Sequence, residues 1–210
     1  MYITFLTISL TLKIFKIKYI SDKGKNMRII SGTAKGTKLY TLEGNNTRPT
    51  LDRVKESLFN IIQNQIKDAI ILDLFAGSGA LALESLSRGA KYAYLCDNSK
   101  TAIQIINKNI IKTRFEEKTK ILNKDYKKNI ENIKERFDII FIDPPYELNI
   151  GVKSIKLILE NHILKEDGII ILETDDDIRE IKQLEELENI TIYDLRKYGR
   201  VKLIFLNRKG

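Results

Sequence analysis

Short apolar runs alternate along the chain with longer segments in which apolar residues recur at helical spacing. The runs are rich in Ile and Leu and predict strands at 69–75, 91–96, 119–123, 137–142, 168–173, 190–195 and 201–206. The intervening segments predict helices at 80–88, 99–112, 126–135, 151–161 and 177–187. This alternation predicts an α/β fold with a seven-stranded, mostly parallel sheet covered on both faces. The short link 196–200 predicts that the last two strands form an antiparallel hairpin.

The segment before this sheet is predicted to form a hairpin and a helix. Residues 28–41 read as two short strands joined by the turn Gly-Thr-Ala-Lys-Gly, which gives a small basic hairpin. Thr50 is expected to cap a helix that runs from Leu51 to about Ile66. The chain begins with twelve uncharged residues, fewer than the roughly 20 that cross a bilayer core. No signal-peptide pattern is present either, so we expect no membrane association.

A glycine-containing turn follows the first predicted strand. Gly77 and Gly79 lie in the segment Asp-Leu-Phe-Ala-Gly-Ser-Gly, which links the strand containing Asp73 to the next helix. Glycine lets the backbone approach a ligand where a Cβ would collide. Asp97 follows Gly77 by 20 positions at the end of the second strand, where an acid can bind ribose hydroxyls. Together these features predict a nucleoside-bearing cofactor, either NAD or S-adenosylmethionine.

The sequence Asp143-Pro144-Pro145-Tyr146 directly follows the strand 137–142. The prolines stiffen the backbone and remove two N–H donors. An acidic acceptor, a stiff Pro144 carbonyl and an aromatic ring suit a flat base with an exocyclic amino group, held flipped out of its stack. A dehydrogenase leaves this motif unexplained, whereas an amino methyltransferase needs both motifs. The two motifs therefore predict a methyltransferase.

Composition limits the alternatives. The 210 residues are 43% hydrophobic, which suffices for one α/β domain with its own core. With one cysteine and one histidine, the chain has no disulfide framework and no credible zinc site, so we expect no metal and a cytoplasmic location. Cys96 is expected to be a buried apolar residue, and His162 to be structural or exposed.

The net charge of +8 is unevenly distributed. Residues 27–55 carry six basic residues against two acidic ones, and the chain after Asp194 carries six basic residues and no acid. Basic ends on a catalytic core indicate a phosphate-rich partner. No aromatic residue interleaves the cations of the hairpin and helix start as a base-stacking platform would require. We therefore expect these cations to bind phosphates and leave base selection to the pocket around Tyr146.

From Met27 to the C-terminus the sequence resembles the RsmD family. The resemblance rests on Arg48-Pro49-Thr50, Ser87-Arg88-Gly89-Ala90, Tyr198-Gly199 and both motifs above. It implies a class I S-adenosylmethionine-dependent methyltransferase fold, which is Rossmann-like. It also implies methylation of the 2-amino group of a guanine in small-subunit ribosomal RNA, within a small-subunit particle and by a monomer. The family usually has Glu at the position of Asp97. The side chain of Asp97 is one methylene shorter and therefore reaches less far.

The motifs and the resemblance together assign roles to individual residues. The expected catalytic residues are Asp143, Pro144 and Tyr146. The expected cofactor-binding residues are Asp73, Phe75, Gly77, Gly79, Asp97 and Asp125, the last at the adenine. The expected RNA-binding residues are Arg28, Lys35, Lys38, Arg48, Arg53 and Arg200.

Because the resemblance begins at Met27, we expect residues 1–26 to be an extension, either upstream of the native start or weakly ordered. Residues 27–210 are expected to form the methyltransferase domain. Two other functions stay open. Methylation of DNA adenine or of a protein glutamine usually uses Asn-Pro-Pro-Tyr and does not explain Arg48-Pro49-Thr50. A non-catalytic RNA-binding relative is the other, although intact residues such as Asp73 and Gly77 argue against it.

Overall fold

The computed structural model describes residues 27–42, 49–145 and 150–209. Its strands are β1 (Ile70–Asp73), β2 (Tyr92–Cys96), β3 (Thr119–Leu122), β4 (Phe137–Ile142), β5 (Leu164–Thr174), β6 (Ile190–Tyr198) and β7 (Val201–Arg208). They form one sheet in the order β3-β2-β1-β4-β5-β7-β6. Strands β1 to β5 are mutually parallel, and β7 runs antiparallel between β5 and β6. The predicted seven-stranded, mostly parallel sheet with a terminal antiparallel hairpin is therefore confirmed.

Helices cover both faces of this sheet. They are α1 (Pro49–Ile61), α2 (Gln63–Ile66), α3 (Ala80–Ser87), α4 (Lys100–Thr113), α5 (Tyr126–Asn132), α6 (Gly151–Glu160) and α7 (Asp177–Leu184), with a 3-10 turn at Glu116–Lys118. Helices α1, α3 and α4 contribute to one buried apolar cluster, and α5, α6 and α7 contribute to a second. Ile71 and Leu72, adjacent in β1, belong to opposite clusters, as the alternation of side chains along a strand requires. Within the described residues, no helix is long and apolar enough to cross a membrane.

Several predicted element boundaries are wrong. The first helix begins at Pro49, so Thr50 lies inside it and is not the residue before it. Proline is favoured at the first helical position because its fixed φ suits the helix and its missing N–H would be unpaired there anyway. The predicted continuation to Ile66 is interrupted at Ile62, and a separate short helix, α2, begins at Gln63. The fifth strand was predicted to begin at residue 168, but β5 begins at Leu164, because Leu164 pairs with Phe137 ahead of a register shift.

The predicted hairpin at 28–41 forms only one antiparallel bridge, between Arg28 and Lys38. The Leu39 N–H donates to the Met27 carbonyl at 2.8 Å, which completes the pairing next to that bridge. Ile29 also pairs across the hairpin, because its N–H donates to the Thr37 carbonyl at 3.0 Å and its carbonyl accepts from the Gly36 N–H at 2.8 Å. The N–H groups of residues 30, 31, 33 and 34 bond to α3 instead, so the pairing does not extend into two regular strands. The Thr33 N–H donates to the Ser87 carbonyl at 2.8 Å, and the Ala34 N–H donates to Ser87 Oγ at 2.9 Å.

The turn of this hairpin lies directly on the C-terminal end of α3. Gly32 has φ of +81°, and a Cβ built on it would lie 1.7 Å from the Ser87 carbonyl oxygen. No side chain fits at that distance, and an L-residue would also be strained at that φ. Glycine at position 32 is thus required by the close approach of two backbones.

The carboxylate of Glu84 in α3 is the centre of this contact. Glu84 has no exposed surface, and its two oxygens accept from the N–H groups of Ile30 at 2.7 Å and Ser31 at 3.0 Å. Arg88 Nε donates to the same carboxylate at 2.8 Å, and Lys55 Nζ lies 3.4 Å from it. Burial lowers the pKa of Lys55, and the charge of Glu84 opposes that shift. The hairpin, α1 and α3 therefore meet at one buried, fully paired carboxylate.

We expect Glu84→Ala to lower the free energy of unfolding by about 3–5 kcal/mol, because it leaves Lys55 and two buried N–H groups without their acceptor. Urea unfolding followed by circular dichroism measures this loss. Glu160→Ala is the matched control, since Glu160 also pairs with a lysine, Lys156, but its side chain is 54% exposed and its loss should cost less than about 1 kcal/mol. Equal losses in the two variants would contradict the central role of Glu84.

Candidate active site

Four neighbouring strands end on, or are followed by, a carboxylate. Asp73 ends β1, Asp97 follows β2, Asp143 follows β4 and Glu173 lies next to the end of β5. Because these strands are parallel, their carboxyl ends meet at one edge of the sheet, where ligands bind in folds of this kind. All four residues line a single cavity of about 830 Å³. The cavity thus lies between β1 and its neighbours β2 and β4, where the strand order changes direction.

The glycine turn and Asp97 form one hydrogen-bonded unit. Gly77 has φ of +55°, and its N–H donates to Asp97 Oδ2 at 2.9 Å. The other oxygen of Asp97 accepts from the Ser99 N–H at 2.8 Å. A Cβ built on Gly77 would meet no atom within 4 Å, and the residue lines the cavity, so the backbone is open to a ligand there. The predicted pairing of Gly77 with Asp97 at one site is consistent with this geometry.

Gly79 has a different role from the one predicted. It does not line the cavity, and a Cβ built on it would lie 2.8 Å from Leu95 Cδ2. Its φ of +78° places it just before the first residue of α3. The glycine is therefore needed for the turn and for close packing of α3 on β2.

Asp73 is buried at the base of the cavity, with 2% of its surface exposed. Its Oδ2 accepts from the Ala82 N–H in the first turn of α3 at 3.3 Å. Burial raises the pKa of Asp73 to about 7; the nearby charge of Asp97 adds to the rise and the Ala82 N–H opposes it. This carboxyl is consequently poised to become charged when a cationic or hydrogen-bonding ligand approaches.

Asp143 faces the cavity from the end of β4. Asp143 is exposed because it borders that open space, while neighbouring protein atoms exclude part of the water from its carboxyl. Withdrawal from bulk water raises the pKa of Asp143 well above the usual value, and the charges of Glu173 and Asp73 raise it further. Asp73, Asp143 and Glu173 thus lie close enough for the charge of one to raise the pKa of another, and a cation placed here would favour their charged forms. Among the described residues, no group of His, Cys, Asp or Glu is arranged to hold a metal ion.

Phe75 and Asp125, two further predicted residues, lie on the β3 side of the cavity. Phe75 lines the cavity and packs against Tyr126, with ring centroids 5.6 Å apart. Asp125 lines it as well and accepts from the Lys127 N–H at 3.0 Å, which makes it the N-cap of α5. Pro144 lines the opposite side, next to Asp143. Tyr146 lies outside the described residues.

The predicted RNA-binding residues that the structure describes lie on the hairpin, on α1 and in the β6–β7 turn. Arg28 lies 3.9 Å from Asp52, and Lys35 and Lys38 are exposed on the hairpin. Arg53 and Arg200 are exposed too, and Tyr198, two residues before Arg200, shares a hydrogen bond with Ser57 on α1. Because Ser57 lies one turn after Arg53, this bond brings the β6–β7 turn close to the Arg53 side of α1. Arg48 lies outside the described residues.

Several residues that line the cavity were not predicted from the sequence, among them Glu173, Met27 and Lys55. Glu173 follows the apolar run 169–172, which is the same signal that identified Asp143, and it could have been found by it. Met27 and Lys55 line the cavity because the hairpin and α1 form one of its walls. Their positions depend on contacts distant in sequence, such as the bond from Ser78 Oγ to Met27 Sδ at 3.3 Å.

A cavity with a bare backbone at Gly77, a carboxylate at Asp97 and an aromatic side at Phe75 and Tyr126 fits a nucleoside-bearing cofactor. Its volume of about 830 Å³ lies in the range of binding sites for small molecules. Asp97 already accepts two backbone bonds, and each carboxylate oxygen can accept a further bond from a ribose hydroxyl.

Comparison with known proteins gives matches over nearly the whole described chain. Residues 27–207 match the family model described as conserved hypothetical protein 95. The ribosomal RNA small subunit methyltransferase D of Haemophilus influenzae is 37% identical, with 89% of this chain and 95% of that protein covered. The protein of the same name from Escherichia coli is 36% identical, with 71% and 75% covered.

Solved structures agree with these matches. The Escherichia coli protein described as "Putative methyltransferase yhhF" superposes with a TM-score of 0.76 at 31% identity, covering 88% of this chain and 98% of that one. The protein SMU.776, described as complexed with SAH, gives a TM-score of 0.59 at 20% identity over 72% of this chain and 49% of that one. Because the identity to SMU.776 is only 20%, this likeness shows the fold alone.

We expect stability to fall as pH rises from 4 to 8 in the cofactor-free protein, with Asp73 as a main cause. Its raised pKa means that the folded state binds more protons than the unfolded state between pH 4 and 7, so the unfolding free energy decreases with pH there. Asp73→Asn should remove about 4 kcal/mol of this decrease, estimated from the shift to about 7.

Urea unfolding of both proteins at several pH values measures the difference. Asp167→Asn, at an exposed carboxylate in β5, is the control and should follow the native profile. Parallel profiles for the native protein and Asp73→Asn would contradict the assignment.

Proposed function

The chain belongs to the RsmD family, and we propose that it transfers a methyl group from S-adenosylmethionine to the 2-amino group of a guanine in small-subunit ribosomal RNA. The observation that carries the proposal is the shared cavity. Asp143 and Pro144, suited to an exocyclic amine, border the same space as Asp73, Gly77 and Asp97, suited to the cofactor. A methyl donor and a flipped base can then meet within one enclosure.

S-adenosylmethionine is the cofactor, and it supplies an electrophilic methyl group on a positively charged sulfur. The carboxyl groups of Asp73, Asp143 and Glu173 in the cavity favour such a cation. Asp97 and the Gly77 backbone would hold the ribose, while Phe75 and Asp125 would border the adenine. Positive charge in the cavity also opposes the rise in the carboxyl pKa values, so the site becomes more fully ionised when the cofactor is bound.

The reaction forms one nitrogen–carbon bond and breaks one carbon–sulfur bond, and a proton leaves the amine. A guanine amine is a weak nucleophile because its lone pair is delocalised into the ring. Asp143 and the Pro144 carbonyl would accept its N–H bonds, orient the lone pair and stabilise the positive charge that develops on nitrogen. A carboxylate of raised pKa is also a better proton acceptor than an ordinary Asp, which suits Asp143 to receive the proton. Tyr146 would stack on the base.

The basic surface around α1 would bind the RNA backbone. Lys35, Lys38, Arg53 and Arg200 are exposed, and none pairs with a carboxylate among the described residues. Cations of this kind bind phosphates with little dependence on sequence. Arg48 is proposed to act with them. We also propose that the RNA is methylated within a small-subunit particle and that the enzyme acts as a monomer.

We expect Asp143→Ala to abolish methyl transfer while S-adenosylmethionine binds within several-fold of its native affinity, because Asp143 acts on the amine. Transfer of a labelled methyl group to small-subunit RNA and isothermal calorimetry with the cofactor provide the two measurements. Asp167→Ala, which removes an exposed carboxylate elsewhere, should retain full transfer. Near-native turnover of Asp143→Ala would refute the role of Asp143, and absence of methyl transfer to any RNA by the native protein would refute the function.

A further inference from the structure

A cluster of one aromatic and two basic residues lies outside the cavity, where the hairpin meets α4. Tyr40, at the end of the hairpin, is 37% exposed. Lys112 Nζ lies 4.4 Å from the centroid of the Tyr40 ring, and Lys108 Nζ lies 6.0 Å from it. Both distances are within the range in which an aromatic ring attracts a cation. We call Tyr40, Lys108 and Lys112 the Tyr40 patch.

The two segments that form this patch are strongly basic. Residues 27–42 and 98–115 carry no Asp or Glu. Their cations are Arg28, Lys35, Lys38, Lys100, Lys108, Lys112 and Arg114. Within the part of the chain that the structure describes, only Arg28 among these pairs with a carboxylate, at 3.9 Å from Asp52. An exposed surface with this much unneutralised positive charge is complementary to a polyanion.

The patch is attached to the wall of the active-site cavity by Asn109, which is fully buried on α4. Its Oδ1 accepts from the Tyr40 N–H at 2.8 Å, and its Nδ2 donates to the Tyr40 carbonyl at 3.0 Å. The same Nδ2 donates to the Ser78 carbonyl at 2.8 Å. Ser78 lies in the glycine turn and lines the cavity, so the patch and the cavity share one wall, which Asn109 holds together.

We infer that the Tyr40 patch binds the phosphate backbone of the RNA next to the methylated nucleotide. The inference rests on the proposed function and extends it to α4, to which the sequence analysis assigned no role in RNA binding. The Tyr40 ring holds two ammonium groups close together and leaves their charge in place, whereas a carboxylate at this position would neutralise it. The cations of the hairpin and helix start were expected to have no interleaved aromatic residue for base stacking; Tyr40, at the end of the hairpin, instead meets two lysines of α4, a helix distant from it in sequence.

The test compares Lys108→Gln/Lys112→Gln with the native protein in binding a small-subunit ribosomal RNA transcript over a range of salt concentrations. We expect roughly 10-fold weaker binding at low salt and a logarithmic salt dependence flatter by about one to two units, as loss of two phosphate contacts predicts. The affinity for S-adenosylmethionine should not change. Lys156→Gln/Lys182→Gln removes two exposed charges from α6 and α7 and should leave RNA binding and its salt dependence unchanged.

Variants at Tyr40 test the ring separately from the charges. Tyr40→Phe keeps the ring and should bind RNA like the native protein. Tyr40→Leu keeps the backbone bonds to Asn109 but loses the ring, and should bind RNA about 2- to 5-fold more weakly. Thermal unfolding of each variant identifies any loss of fold, which is not expected because these side chains are exposed or half-buried.

The outcomes separate this inference from the proposed function. If the native protein binds and methylates RNA, but the double lysine variant keeps the full salt dependence, the patch is only a solvated surface and the inference is overturned. Native affinity in Tyr40→Leu would overturn the role of the ring. If the native protein neither binds nor methylates RNA, the proposed function fails first. Weaker binding in both the lysine and leucine variants supports the inference.

Discussion

The buried carboxylate of Glu84 holds the N-terminal segment on the α/β domain, and the shape of the cavity depends on this contact. Withdrawing a carboxylate from water costs several kcal/mol unless it is paired and hydrogen-bonded. Here the compensating donors are two hairpin N–H groups, Lys55 on α1 and Arg88 on α3. These groups can meet only when all three segments are packed together. Because Met27 and Lys55 also line the cavity, the same packing completes its wall.

Charge is divided between the inside and the outside of this wall. The parallel strands bring Asp73, Asp143 and Glu173 to one edge of the sheet, so the interior is acidic. The hairpin and α4 are basic, so the outer surface there is cationic. A polyanion is attracted to the cationic outer surface, whereas the carboxyl groups of the interior favour a cationic cofactor. This division favours binding of a nucleic-acid backbone on the surface with one base inside.

The parts of the site that depend on local sequence could be predicted, and those that depend on distant contacts could not. Asp73, Asp97 and Asp143 each follow an apolar run, and a parallel sheet necessarily brings such strand ends together. The hairpin at 28–41 was predicted as two strands because only its own turn is visible in the sequence. Its main partner is Glu84, more than 50 residues away. Gly79 was grouped with Gly77 by spacing, but its contact with Leu95 depends on how α3 packs on β2.

The side-chain amide of Asn109 connects the basic outer surface at Tyr40 to the cavity wall at Ser78. It bonds to both backbone groups of Tyr40 and to the Ser78 carbonyl of the glycine turn, and it is fully buried. Neither the turn nor the end of the hairpin can shift without breaking such a bond, and an unpaired buried group costs about 1–3 kcal/mol. On the proposed function, a cofactor in the cavity and RNA on the outer surface would stabilise the same arrangement. Since linkage is reciprocal, whatever binding free energy the cofactor gains from RNA, the RNA gains equally from the cofactor.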